Sequence, residues 1–253
     1  MYKILFFLGF ILSLNPLSSQ TTKNIQPVWE RSNGNHDHTS RDELHLSTKD
    51  HENNIILASS VERDSTFADL LVQKFSDSGI LIWEIRYSSG LGLDYDYPVK
   101  MILGADNEIF LLCSAVYFTG SGIGFILKIS EDGAIVWVKD MATETVEHEH
   151  HNFFDGYLDV ENTLAVTYTC RADALFPAPT YFFVIHKDGT VIKKFQVTGI
   201  GQPSTGNAYG MNEFHDKSGN FVFILRDNEI YKKLYLRKIN PITGIDTTII
   251  VSD

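Results

Sequence analysis

Lys74-Phe-Ser-Asp-Ser-Gly-Ile-Leu-Ile-Trp83 recurs with the same turn as Lys128-Ile-Ser-Glu-Asp-Gly-Ala-Ile-Val-Trp137. Looser copies follow at Ile185-His-Lys-Asp-Gly-Thr-Val-Ile192 and Lys238-Ile-Asn-Pro-Ile-Thr-Gly-Ile-Asp-Thr247. Their turn glycines, Gly79, Gly133, Gly189 and Gly244, lie 54, 56 and 55 residues apart, and Trp29, Trp83 and Trp137 lie 54 apart. In each copy an apolar run enters a polar turn and a second apolar run leaves it. That is the pattern of a hairpin in which Gly supplies positive φ and Asp, Asn or Ser supplies local hydrogen bonds. A period of this length means that one supersecondary unit is repeated along the chain.

Outward from the hairpin, each unit reads as four short strands. The first runs Glu43–Thr48, Ile55–Val61, Ala68–Phe75 and Ile80–Tyr87, with polar turns at 50–54 and 76–79. The units span about 43–87, 99–140, 157–197 and 211–251, inside a repeat region covering residues 21–253. Four antiparallel strands per period is the pattern of a β-propeller blade, so the expected fold is an all-β propeller of about four four-stranded blades. A β-sandwich is the competing all-β arrangement, but it has no reason to repeat itself. The recurring Trp is expected to dock its ring between neighbouring blades. Units three and four place Lys193 and Thr248 at that position. Only Ala142–His150 reads as a helix, and it lacks an apolar stripe. Gln26–Arg31, carrying Trp29, reads as a lone fourth strand, although the last unit already has one of its own. The expectation is therefore an incomplete ring: a fragment of a larger propeller with further blades, or an open arc whose edge invites a second subunit.

The 253 residues carry 21 Lys+Arg against 32 Asp+Glu, a net charge of −11, which excludes wrapping nucleic acid and argues against anionic membrane surfaces. At the N-terminus Lys3 precedes an apolar run, Ile4–Leu14, and then Asn15-Pro-Leu-Ser-Ser-Gln20. This reads as a signal peptide over residues 1–20, with cleavage near Ser19–Thr21. The run is too short to span a bilayer and no Cys stands at its exit, so no membrane anchor is expected. The mature chain is expected to be exported (extracellular, cell-surface or periplasmic), and losing Lys3 takes its charge to −12. In an oxidising compartment Cys113 and Cys170 either pair or remain two buried thiols. Their places in strands of different units favour the thiols.

The pattern Asp-x-x-Gly-x-x-x-Trp of residues 76–83 and 130–137 resembles the tryptophan-docking motif of quinoprotein-dehydrogenase-like propellers. It is also similar to the repeats of secreted Bacteroidota propeller-repeat proteins. The resemblance covers residues 28–253 and implies a blade architecture rather than an activity. Quinone-using members carry vicinal cysteines beside the cofactor, and this chain has no adjacent Cys pair.

The candidate functional residues lie in the joining loops: His36-Asp37-His38 with Asp42, Asp94-Tyr-Asp96-Tyr97, His148-Glu149-His150-His151 and Asn207-Ala-Tyr209. His36, His38, His148 and His150, with nearby carboxylates, offer ligands for a divalent metal; solvated polar loops are the alternative reading. Asp94 and Asp96 are too sparse for a calcium loop and are a weak acid pair for catalysis. No metalloprotease helix, phosphate loop or nucleophile elbow is present. The expected function is a non-catalytic binding or scaffold protein, without cofactor, that recognises a protein or glycan through its loop face. Tyr95, Tyr97 and Tyr209 are its contact anchors. The alternative is a metal-dependent enzyme with a His/carboxylate site at the channel mouth.

Overall fold

The computed structural model describes residues 42–64, 67–90, 95–116, 122–145, 150–171, 180–197, 213–226 and 234–252. These form sixteen strands in four consecutive sets of four. Blade 1 holds β1 (Glu43–Lys49), β2 (Ile55–Asp64), β3 (Phe67–Phe75) and β4 (Leu81–Tyr87). Blade 2 holds β5 (Tyr95–Leu103), β6 (Ile109–Val116), β7 (Gly122–Ile129) and β8 (Ile135–Asp140). Blade 3 holds β9 (His150–Leu158), β10 (Leu164–Arg171), β11 (Thr180–Ile185) and β12 (Val191–Val197). Blade 4 holds β13 (Glu213–His215), β14 (Phe221–Arg226), β15 (Leu234–Ile239) and β16 (Asp246–Ser252). Within each blade every sequential pair is antiparallel, and a single parallel bridge, Ala68 to Tyr95, joins β3 to β5. The fold is that of β-propeller blades, as the repeat requires.

Three apolar clusters fill the three seams. Ile56, Ala58, Leu70 and Val72 meet Ile109, Leu111, Cys113 and Ala115 between blades 1 and 2. Phe110, Leu112 and Ile126 meet Phe153, Val166, Tyr168 and Phe183 between blades 2 and 3. Ala165 and Phe182 meet Phe221 and Ile239 between blades 3 and 4. β6 feeds two of these seams because alternate residues of a strand face opposite sides. That explains why Ile109–Ala115 is an unbroken buried run rather than an alternating one. Cys113 is a buried free thiol on the blade 1 side, and burial pushes it well above its ordinary pKa.

The recurring Trp ties each blade to the next turn. Trp83 donates its indole N–H to the Glu131 carbonyl at 2.9 Å, and Trp137 donates to Lys187 at 3.0 Å. Each acceptor lies two residues before a turn glycine, and each ring covers that glycine. A Cβ on Gly133 would stand 2.9 Å from the Trp83 ring, and one on Gly189 would stand 3.2 Å from Trp137. In blade 3, Lys193 takes the Trp position and its ammonium donates to the Ile242 carbonyl at 2.5 Å, again two residues before the glycine, Gly244. The Trp-to-Lys exchange keeps the hydrogen bond and loses the ring. Trp29 lies outside the described residues.

Some expected boundaries shift. Residues 95–97, read as a joining loop, open β5, so unit two begins at Tyr95 rather than at 99. Likewise β9 begins at His150, not at 157. Polar residues discourage a strand locally, but pairing to β6 and β10 overrides that propensity. The helix expected over Ala142–His150 is only one 3-10 turn, Ala142–Glu144, and His150 belongs to a strand. Among the described residues no helix is long and apolar enough to cross a membrane.

Candidate functional site

The blades present two unlike ends. At one end the eight hairpins β1–β2, β3–β4 and their equivalents close over turns at 50–54, 76–80, 104–108, 130–134, 159–163, 186–190, 216–220 and 240–245. Every one contains a positive-φ residue: Asn53, Gly79, Asn107, Gly133, Asn162, Gly189, Gly219 or Gly244. Aspartates organise several of them. Asp50 Oδ1 accepts the Glu52 and Asn54 N–H groups at 2.9 and 2.8 Å, and Asp216 repeats this with Ser218 and Asn220 at 2.9 and 3.1 Å. These bonds hold the Asp216 carboxyl below the ordinary range, and similar bonds hold Asp188 at about 2. The chain's turn acids are thus spent on geometry. At the opposite end run the remaining connections: 65–66, 88–94, 117–121, 141–149, 172–179, 198–212 and 227–233.

Tyr95, Asp96 and Tyr97 open β5 at this second end. Both tyrosines are half-buried and Asp96 is buried, 3 % exposed. Tyr97 lies with its ring centroid 6.2 Å from that of His45 on β1. His45 Nε2 is 3.0 Å from Ser60 Oγ, and Ser60 donates its hydroxyl proton to the Asp96 carbonyl at 2.9 Å. Asp96 Oδ2 accepts the Ser89 N–H at 2.7 Å, whereas Oδ1 is buried and has no hydrogen-bond partner. Burial pushes the Asp96 carboxyl above its ordinary range, the Ser89 bond opposes that, and the neighbouring Asp69 carboxylate adds to it. Burial raises Tyr87 too, and Asp96 contributes.

A second polar feature crosses the innermost strands. β1, β5 and β9 are each bulged, at Leu44/Leu46, Pro98/Lys100 and opposite Val166/Tyr168. A bulge kinks the strand and re-aims the residues beside it. Lys100 and Asp155 occupy equivalent places at these bulges, and Lys100 Nζ pairs with Asp155 Oδ1. Asp155 Oδ2 lies 3.3 Å from His215 Nδ1 on β13, and the His215 ring stacks on Tyr157 at 4.9 Å. Although Asp155 faces it, burial first and the Lys100 charge second hold the imidazole below its ordinary pKa. Tyr157 donates its hydroxyl proton to the Gly219 carbonyl at 2.6 Å, and burial pushes its phenol up to about 12. Lys100, Asp155 and His215 thus join blades 2, 3 and 4 by one shared, buried carboxylate.

Of the sequence candidates, Tyr95 and Tyr97 sit together at the loop end, and His150 opens β9 at that same end, opposite Arg171. His36, His38, His148 and Tyr209 lie outside the described residues. Among the described residues no three His, Cys, Asp or Glu side chains gather into a metal-binding group. The sequence reading missed Lys100, Asp155 and His215. Their signal lies in the first-hairpin turns: Lys100 and Asp155 each stand seven residues before a positive-φ Asn, Asn107 and Asn162. The same alignment pairs Asp42 with Asp96, eleven residues before Asn53 and Asn107, and each accepts a backbone N–H.

No protein-family model matches this sequence, and no curated protein matches it. Three solved structures resemble it loosely. A subtype N10 neuraminidase-like protein of A/little yellow-shouldered bat/Guatemala/060/2010 shares 13 % identity at a TM-score of 0.47, over 82 % of this chain and 68 % of that one. The WD40 domain of SCAP from fission yeast shares 7 % at 0.32, over 87 % and 67 %. A complex of the fission yeast SREBP–SCAP binding domains shares 8 % at 0.32, over 100 % and 81 %. These likenesses concern fold alone; the blade assignment rests on strand order and register.

Proposed function

We propose that this chain is an exported, non-catalytic binding module that engages a protein partner through its long-loop end. One observation carries the reading: the two ends of the blades are built differently. Eight short turns with fixed backbone conformations close one end, while the longer connections, up to residues 198–212, gather at the other. Binding residues concentrate on loops carried by a rigid scaffold, and surface variation there leaves the core untouched. Tyr95 and Tyr97, half-buried on β5 at that end, supply rigid aromatic contact area, with Tyr209 of the 198–212 connection as a third anchor.

The test places a photo-crosslinking residue at position 97 on one end or at position 78 on the other, in chain secreted by its native producer. Partner adducts are expected from position 97 and not from 78. They should fall at least tenfold for the position-97 probe when Tyr95 is also changed to Ala. Equal adducts from both positions would overturn the assignment of the face.

A further inference from the structure

We propose that Asp96 and Asp69 are paired carboxylate ligands for a hard divalent cation, calcium by ligand type, at the loop end of the seam between blades 1 and 2. The parallel bridge between Ala68 and Tyr95 sets this up. Residues that follow a bridged pair in parallel strands project from the same face, on backbones about 5 Å apart. Asp69 follows Ala68 and Asp96 follows Tyr95, so the register sets the two carboxyl groups side by side. Both are buried, at 4 % and 3 % exposure.

Two neighbouring carboxylates removed from water repel each other, and each loses its hydration; buried charges of this kind are normally paired or coordinate a metal. The seam's buried ammonium does not meet the need. Lys74 is committed to Asp50 at 2.8 Å, five residues along β3 from Asp69 and hence about 17 Å away. Asp96 itself points to a ligand. Its Oδ2 is held by Ser89 and its carbonyl by Ser60, which fixes the residue from two sides, while Oδ1 is left buried and unpartnered.

An unpartnered carboxylate oxygen beside a second carboxylate, with hydroxyl and carbonyl oxygens around it and no imidazole or thiolate in the pair, suits a hard cation. Calcium accepts irregular oxygen shells and mixes carboxylate with carbonyl and water, whereas magnesium demands near-ideal octahedral geometry. This site is distinct from the His36/His38/His148/His150 set and does not depend on the identity of any partner.

The experiment uses the purified mature chain, stripped with chelator, at pH 7 with calcium chloride as the probe. Calcium is expected to raise Tm saturably, by about 5 °C or more at a hundred times its Kd, and calorimetry should count one site. Asp96→Asn keeps the shape and the Ser89 bond. It should match or exceed the wild-type Tm in chelator and lose the calcium response. Asp69→Asn should weaken calcium binding at least tenfold. No calcium-dependent rise in the wild-type chain overturns the proposal. So does an undiminished rise in Asp96→Asn, which would put the ion elsewhere.

Discussion

Replacing Gly133 by Ala tests the docking of Trp83 against a built-in control. Gly133 has φ +90°, and an added Cβ would stand 2.9 Å from two atoms of the Trp83 ring. Gly90 also has positive φ, +69°, but its Cβ would enter open space. Both substitutions force an L-residue into left-handed backbone, a cost of about 1–2 kcal/mol. Only Gly133→Ala adds overpacking, about 1–3 kcal/mol. Gly133→Ala should therefore destabilise by about 2–5 kcal/mol and Gly90→Ala by about 1–2 kcal/mol, read from urea unfolding followed by far-UV circular dichroism. The excess belongs to the ring, so it should vanish in a Trp83→Ala background, where Gly133→Ala should cost no more than Gly90→Ala. That difference is the coupling energy of a double-mutant cycle. Equal losses for the two glycines, or an excess that survives removal of Trp83, would refute the claim that the ring's seat on this turn sets the seam.

Further predictions address the buried charges and the turns. Asp50→Ala strands the Lys74 ammonium, whose side chain is 5 % exposed, and should cost about 3–5 kcal/mol. Adding Lys74→Met should recover most of that loss in the same unfolding assay. Asp155→Ala removes the carboxylate shared by Lys100 and His215 and should cost about 3 kcal/mol, with proteolysis then reporting earlier release of blade 4. Asp50, Asp188 and Asp216 all have folded pKa values below the unfolded value. Their contribution is present above about pH 4 and is lost as pH falls through the folded values, so Tm should drop between about pH 4 and pH 2. Asp216→Asn should flatten that drop. Asp96 titrates the other way, because burial raises its folded value. Without calcium it costs stability as pH rises above about 4, and Asp96→Asn should remove that slope in a pH series of melting curves.

Much of the architecture was legible because it is periodic. A turn glycine every 54–56 residues and a Trp every 54 demand equivalent environments, and a blade supplies them. The replacement of Trp by Lys193 was also visible, but not its meaning. Only the fold shows that an ammonium and an indole N–H reach the same carbonyl position in the next turn. The start of β5 was misread as a loop because Asp94-Tyr-Asp96-Tyr97 has the composition of one, and composition carries no knowledge of the strand waiting opposite. For the same reason Asp96 was read beside Asp94, its neighbour in sequence, and dismissed as a calcium ligand.

By itself, then, the sequence determined the repeated unit, the positive-φ turns and the count of blades. Each of these depends on interactions within some ten residues, or on one such stretch resembling another. Tertiary structure alone decided which charges meet. Asp69 with Asp96, and Lys100 with Asp155 and His215, are joined by a bridge between blades and by bulges on successive innermost strands. Those pairings depend on the register and rotation of whole sheets, to which no local pattern of residues is sensitive.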